Sequence, residues 1–393
     1  MARNLDKSSI PENWKYDFLD KFAIRCSGHT PSQSHPEYWN GGIKWISLAH
    51  SNRLDQGYIF ETTKQISDEG IKNSSAVLLP AETVILSRDA GIGKSAVMSE
   101  TMAVSQHFMA WKCDNHEKLH SWFLYNWLQL NKPEFERQAV GSTIKTIGLP
   151  YFKKLKIAVP PFAEQQKIAQ ILSTWDKAIA VTEQLLANSQ QQKKALMQQL
   201  LTGKKRLLDE NGVRFEGEWE EVLLGDIAKI TTGSSNRQDS NLNGEYTFFD
   251  RSEDIRTSNI YLFDCEAVIV PGEGQDFVPK YFVGKFDLHQ RTYAIMDFIS
   301  HDGKFLFYAI HYFRSYFLSQ AVGSTVKSLR LPMFQKMKIS LPELAEQQKI
   351  AKVLSTADQE IEALQRKLDG LQQEKKALMQ QLLTGKRRVK VAA

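Results

Sequence analysis

Residues 164–169 read EQQKIA, and so do residues 346–351. Residues 193–204 read KKALMQQLLTGK, and so do residues 375–386. The AVGST strings at 139–143 and 321–325 keep the same offset of 182, so the copies align without a gap. Any fold for this chain must therefore hold one unit twice. The period is far longer than a solenoid repeat, and it reads as a duplicated globular body followed by a helix.

The helices declare themselves by spacing. In the second copy, positions spaced alternately four and three are Ile350, Leu354, Ala357, Ile361, Leu364, Leu368, Leu371, Leu378 and Leu382, with Lys375 the one break. The first copy runs in phase through Ile168, Leu172, Trp175, Ile179, Leu186, Leu196 and Leu200, and is interrupted by Thr182, Ser189 and Lys193. Apolar residues in this rhythm over more than four heptads describe a coiled-coil seam. Gly203 and Gly385 close the two stretches and basic residues follow, which suits a helix C-terminus in backbone conformation and in charge. About 40 residues at about 1.5 Å each make a rod of about 60 Å. Two such helices in one chain are expected to pack on each other.

A chain of 393 residues with 42% apolar content suits two or three domains with real cores. The reading is α+β: a body over 1–160, a long helix over 161–204, a second body over 205–342 and a second helix over 343–393. In the first body, 43–48, 76–79 and 83–86 read as strands and 122–130 as a helix. The polar, turn-rich stretch 204–219 marks a boundary. In the second body, 246–249 and 267–270 read as strands and 305–318 as a helix. Up to about Gln320 the bodies hardly resemble each other, as expected if each recognises something different.

Fifty Lys and Arg against 45 Asp and Glu give a net charge of +5, which permits a nucleic-acid partner without demanding one. Cys26, Cys113 and Cys265 are odd in number and far apart, so a reducing, cytoplasmic setting is expected. The opening MARNLDKSSIPENW has no apolar core for a signal peptide, and no run approaches a membrane span.

Three strings imitate catalytic motifs. His116-Glu117-Lys118-Leu119-His120 spells HExxH, but no clear third ligand follows, and the second copy has Phe298 and Asp302 in place of the histidines. No metal is expected. Asp89-Ala90-Gly91-Ile92-Gly93 with Val159-Pro160-Pro161-Phe162 imitates the cofactor loop and target-amine motif of methyltransferases. Val159, however, has no side-chain oxygen to accept a hydrogen bond from an amine. Gly93-Lys94-Ser95 imitates a P-loop, but Arg88 stands where its first glycine belongs. No catalytic residue is expected.

The repeated strings carry a resemblance. The body–helix–body–helix order, Pro160-Pro161 leading into EQQKIA, the KKALMQQLLTGK helix end and the Gly-Ser-Thr before each helix resemble the specificity (S) subunits, HsdS, of type I restriction-modification systems. So do Gly28-His29-Thr30-Pro31-Ser32, Tyr38 to Ser47 and Ser87-Arg88-Asp89, although His29 stands where glycine is commoner; the second body is less typical. The resemblance implies two target recognition domains, each reading half of a bipartite, asymmetric double-stranded DNA site. It also implies an antiparallel, pseudo-two-fold coiled coil that sets the spacer and docks the methyltransferase. The chain would be non-catalytic and bind no cofactor. Two modification subunits would use S-adenosylmethionine, and two motor-nuclease restriction subunits would use ATP and Mg. A stand-alone adenine methyltransferase or a coiled-coil scaffold are the competing readings.

DNA contacts are sought among loop residues with suitable donors. In the first body these are Thr30, Ser32, Gln33, Ser47, Arg88, Lys94, Ser95 and Gln106. In the second they are Ser234, Ser235, Asn236, Arg237, Arg251, Lys280, Gln290 and Arg291.

Overall fold

The central strands of each body have apolar side chains on both faces, which requires a sheet covered on both sides. A computed structural model describes residues 10–114, 118–142, 145–252 and 254–390. It divides into two compact units, Met1–Thr182 with Lys367–Ala393, and Glu183–Arg366. Neither unit is continuous with the four segments read from the sequence: each holds one body, the start of the helix that follows it and the end of the other helix.

In the first body the five-stranded sheet runs Ile24–Ser27, Phe108–Lys112, Val84–Ser87, Ser95–Met98, Tyr58–Ile59. Val84, Leu86, Val97, Met109 and Trp111 point to one core with helix Ser121–Leu130. Ile85, Ala96, Met98, Phe108 and Ala110 point to another, beneath Ile46 and Leu54. A three-stranded sheet of Lys64–Ile66, Trp39–Ile46 and Ala103–Val104 lies in the same body.

The second body builds the same frame in one six-stranded sheet, Lys229–Thr232, Thr292–Met296, Phe263–Pro271, Lys280–Leu288, Tyr246–Phe249, Arg256–Ser258. Val268, Val270 and Ile295 face a core with helix Gly303–Tyr312, and Ala267, Ile269, Ala294 and Met296 face the opposite one. Two parallel pairings mark the correspondence, Ile46 with Val104 and Phe249 with Leu288.

The strand reading at 76–79 needs correction: only Leu79 pairs, in an isolated bridge to Met102. Residues 305–318 form two helices, Gly303–Tyr312 and Ser315–Gln320, separated at Phe313 and Arg314.

Both bodies hand over to their long helices in one way. Strand Lys156–Val159 pairs antiparallel with Lys15–Phe18, and strand Lys338–Leu341 with Glu220–Leu223. The helices then run Phe162–Leu200 and Leu344–Leu382. Gly203 and Gly385 adopt φ of +67° and +74° just beyond them, the left-handed conformation that ends a helix.

The EQQ strings fix the helix starts. Gln165 donates to the carbonyls of Pro160 (2.9 Å) and Lys118 (3.0 Å) and accepts from the His120 amide at 2.8 Å. Gln347 repeats this with the Pro342 carbonyl (2.7 Å) and the Asp302 amide (3.0 Å). Glu346 is fully buried and takes a two-pronged grip from Arg206, at 2.8 and 2.6 Å. Glu164 takes the same grip from Arg388, at 2.8 Å on each oxygen.

The seam residues Ile168, Leu172, Trp175, Ile179, Leu186, Leu196, Leu200, Ile350, Leu354, Ile361, Leu364, Leu368, Leu371, Leu378 and Leu382 are all buried or half-buried. The polar interruptions are paired. In one unit Lys375 bonds Asp176. In the other Lys193 bonds Asp358, and the Ser189 hydroxyl donates to Glu360 at 3.2 Å.

Candidate nucleic-acid interface

The loops after the first sheet strand and before the adjoining strand meet at one edge in each body. A Cβ on Gly28 would lie 1.8 Å from the Val104 carbonyl oxygen, and one on Gly233 would lie 1.7 Å from that of Leu288. Only glycine permits backbones this close. From there the two edges correspond residue by residue. The Arg88 amide donates to the His107 carbonyl, and the Gly272 amide to the Arg291 carbonyl, both at 2.9 Å. Ile147 then bonds Arg88, and Leu329 bonds Gly272. Gln106 thus matches Gln290, His107 matches Arg291, and Asp89 matches Glu273.

In the first body Thr30 bonds Gln106 at 2.5 Å, and Ser32 bonds Ser34 at 2.7 Å. Gln33 is exposed. Asp89 collects His107 and Thr146, with Arg88 at 3.9 Å. Three candidates are otherwise engaged. Ser95 is fully buried, its hydroxyl accepting from Gln129 at 2.8 Å, so it is a core residue and not a DNA contact. Lys94 turns inward to the Ser51 carbonyl at 3.0 Å. Ser47 caps a short turn with His50.

The second body gathers more of its candidates. The Asn236 side-chain oxygen Oδ1 accepts from the Gln290 amide at 2.7 Å. Arg251 and Arg291 both bind Glu273, the first at 3.1 Å. Arg237 lies 3.8 Å from Asp250. Lys280 donates to the Ser252 carbonyl at 2.6 Å, Ser234 is exposed, and Ser235 is a correction. It is buried and its one donor proton goes to Asp287 at 2.6 Å, so the side chain is spent inside the body.

Sequence reasoning passed over Asp89, His107 and Thr146 in one body, and Asp250, Arg256, Glu273 and His289 in the other. Burial acts to raise the Asp250 carboxyl, but hydrogen bonds from Ser252 and the charges of Arg237 and Arg256 outweigh it and hold the group below its usual range. Acidic residues were not sought because DNA is an anion. Here they serve as partners for the donors.

The motif-like strings resolve as structure. Residues 89–93 are the turn between strands Val84–Ser87 and Ser95–Met98. Val159 is buried, paired with Lys15. His116 and Glu117 lie outside the described residues. Among the described residues no group of three or more His, Cys, Asp and Glu could hold a metal ion, and no helix is long and apolar enough to cross a membrane. Burial raises all three thiols, which are free of disulfides.

The family model described as "Type I restriction modification DNA specificity domain" matches residues 11–188 and 216–373. The MjaVIII specificity subunit of a type I restriction enzyme from Methanocaldococcus jannaschii is 25% identical, over 97% of this chain and 94% of its own. The EcoDI specificity subunit from Escherichia coli is 30% identical over 42% of this chain and 37% of its own. The crystal structure of the S subunit of a type I restriction-modification system from M. genitalium superposes with a TM-score of 0.64 at 16% identity, covering 96% of this chain and 97% of that one. The HsdS subunit from Thermoanaerobacter tengcongensis gives 0.51 at 17%, covering 98% and 100%. These likenesses at low identity establish the fold, two sheet domains with two long helices. With both bodies matched by the model, the chain belongs to the type I restriction-modification DNA specificity family, whose members recognise DNA sequence as non-catalytic subunits.

Proposed function

We propose that each body reads one half of a bipartite, asymmetric DNA site and that the two helices pack as an antiparallel, pseudo-two-fold coiled coil that sets the spacer. One observation carries this reading: a single frame is built twice with different side chains at the same edge, Asp89 with His107 in one body and Glu273 with Arg291 in the other. Equal frames place the readers equivalently, and unequal side chains make the half-sites differ, so the target is not a palindrome. The antiparallel packing is supported within one unit by Asp176 on the first helix meeting Lys375 on the second, and by Glu164, nearer the start of the first helix, meeting Arg388 just beyond the end of the second.

The exposed glutamines 190–192 and 372–373 are offered to the methyltransferase subunits. In this reading the chain works in the cytoplasm with two modification and two restriction subunits. It binds no cofactor itself; S-adenosylmethionine, ATP and Mg serve those partners. The test is single-molecule sequencing of host DNA with this gene intact and deleted, the methyltransferase gene left in place. Loss of a split, non-palindromic adenine motif on deletion is the expected result. An unchanged methylome, with the partner shown to be expressed and active, sinks the proposal.

A further inference from the structure

Arg251 and Arg291 reach Glu273 from different elements. One follows strand Tyr246–Phe249 and the other precedes strand Thr292–Met296. Their side chains are 52% and 61% exposed, whereas that of Glu273 is 12% exposed. The carboxylate therefore forms a floor and the two guanidinium groups a rim. Asp250, with a side chain 2% exposed, lies 3.8 Å from Arg237 and 3.7 Å from Arg256. A cleft of about 250 Å³ opens among these groups beside His289 and Gln290. Burial, and then the charges of Arg251 and Arg291, keep His289 below its usual pKa despite Asp250 and Glu273 nearby. Three arginines, Arg237, Arg251 and Arg291, against two carboxylates line the cleft and leave its rim positive.

A site built only to hold phosphate gains from net charge, and carboxylates beside the arginines would waste half of it. A carboxylate does something different for an arginine: it fixes the plane of the guanidinium by occupying some of its five donors, leaving the others aimed outward. A fixed, planar pair of donors matches a planar pair of acceptors, which guanine presents as O6 and N7 in the major groove. The corresponding edge of the first body has His107 on Asp89 and a single arginine, Arg88, 3.9 Å away with its side chain 18% exposed. We infer that Arg251 and Arg291, aligned by Glu273, read guanine in the half-site of the second body. This rests on the proposal that the body reads DNA.

The test uses the full chain in complex with its methyltransferase subunit and duplexes carrying the methylated motif, with single guanines replaced by 7-deazaguanine, which lacks the N7 acceptor. One or more replacements in the second half-site should weaken binding about tenfold. The penalty should vanish in Arg251→Met or Arg291→Met, which keep the apolar stem and lose every donor. A second half-site without a G·C pair, or equal binding with and without N7, overturns the inference and leaves sequence reading intact. A complex with no sequence preference overturns the reading itself. A penalty that persists in both methionine variants assigns guanine to other residues and also overturns it. So does a loss equal for all sequences, which marks phosphate contacts. A methionine variant that no longer binds a duplex carrying only the first half-site shows a structural arginine and overturns it equally.

Discussion

Glu346 sits out of water with Arg206 bridging both its oxygens, and a buried carboxylate depends on such a partner. Arg206→Ala should cost about 3–5 kcal/mol, read by denaturant unfolding. Arg388→Ala should cost less, because Arg388 is 41% exposed and Arg206 18%. His311 gives a pH signature. Burial, helped by Arg314 and Lys193, lowers its pKa to about 4 in the fold. The unfolded chain, near 6.5, binds that proton first. Its contribution is therefore present above about pH 6.5 and is lost as the pH falls toward 4. His311→Asn should flatten this part of the stability–pH curve. The recurrence of EQQ was legible in the sequence, but its partners were not: a repeated glutamate does not announce its burial or the arginine that meets it. The same blindness to burial placed Ser95 and Ser235 among the DNA contacts, since a hydroxyl has suitable donors wherever it lies.

The long helices were the most legible elements, because a four-and-three spacing depends on the helix alone. What spacing misrepresents is the polar interruptions. Lys375 and Lys193 read as flaws in the seam, yet each meets the aspartate of the other helix, Asp176 and Asp358. Paired charges at such positions set register. Lys375→Glu should destabilise the unit by about 1 kcal/mol, and Asp176→Lys in the same chain should restore most of it, as a double-mutant cycle in denaturant would show. The sheets were less legible. Their correspondence places Gln106 opposite Gln290 rather than at the offset of the repeat, because the loops between strands differ in length. Chain alignment at one offset cannot find an equivalence that runs through hydrogen bonds.

For the molecule as a whole, if the helices set the spacer as proposed, helix length converts into DNA spacing. Adding one seven-residue block to helix Phe162–Leu200 should change the spacer of the methylated motif and leave both half-sites unaltered, as the same sequencing would report. The division into units has another consequence. The core around Ile168 and Leu172 is completed by Met379, Leu382 and Leu383, contributed after the whole second body. Many proteins close their first domain while the ribosome is still making the next. Here the first domain waits, with Leu172 and its neighbours uncovered, until Met379, Leu382 and Leu383 have been translated. A truncation just ahead of Met379 would therefore harm the first body, far upstream in sequence, more than the second body that precedes the cut.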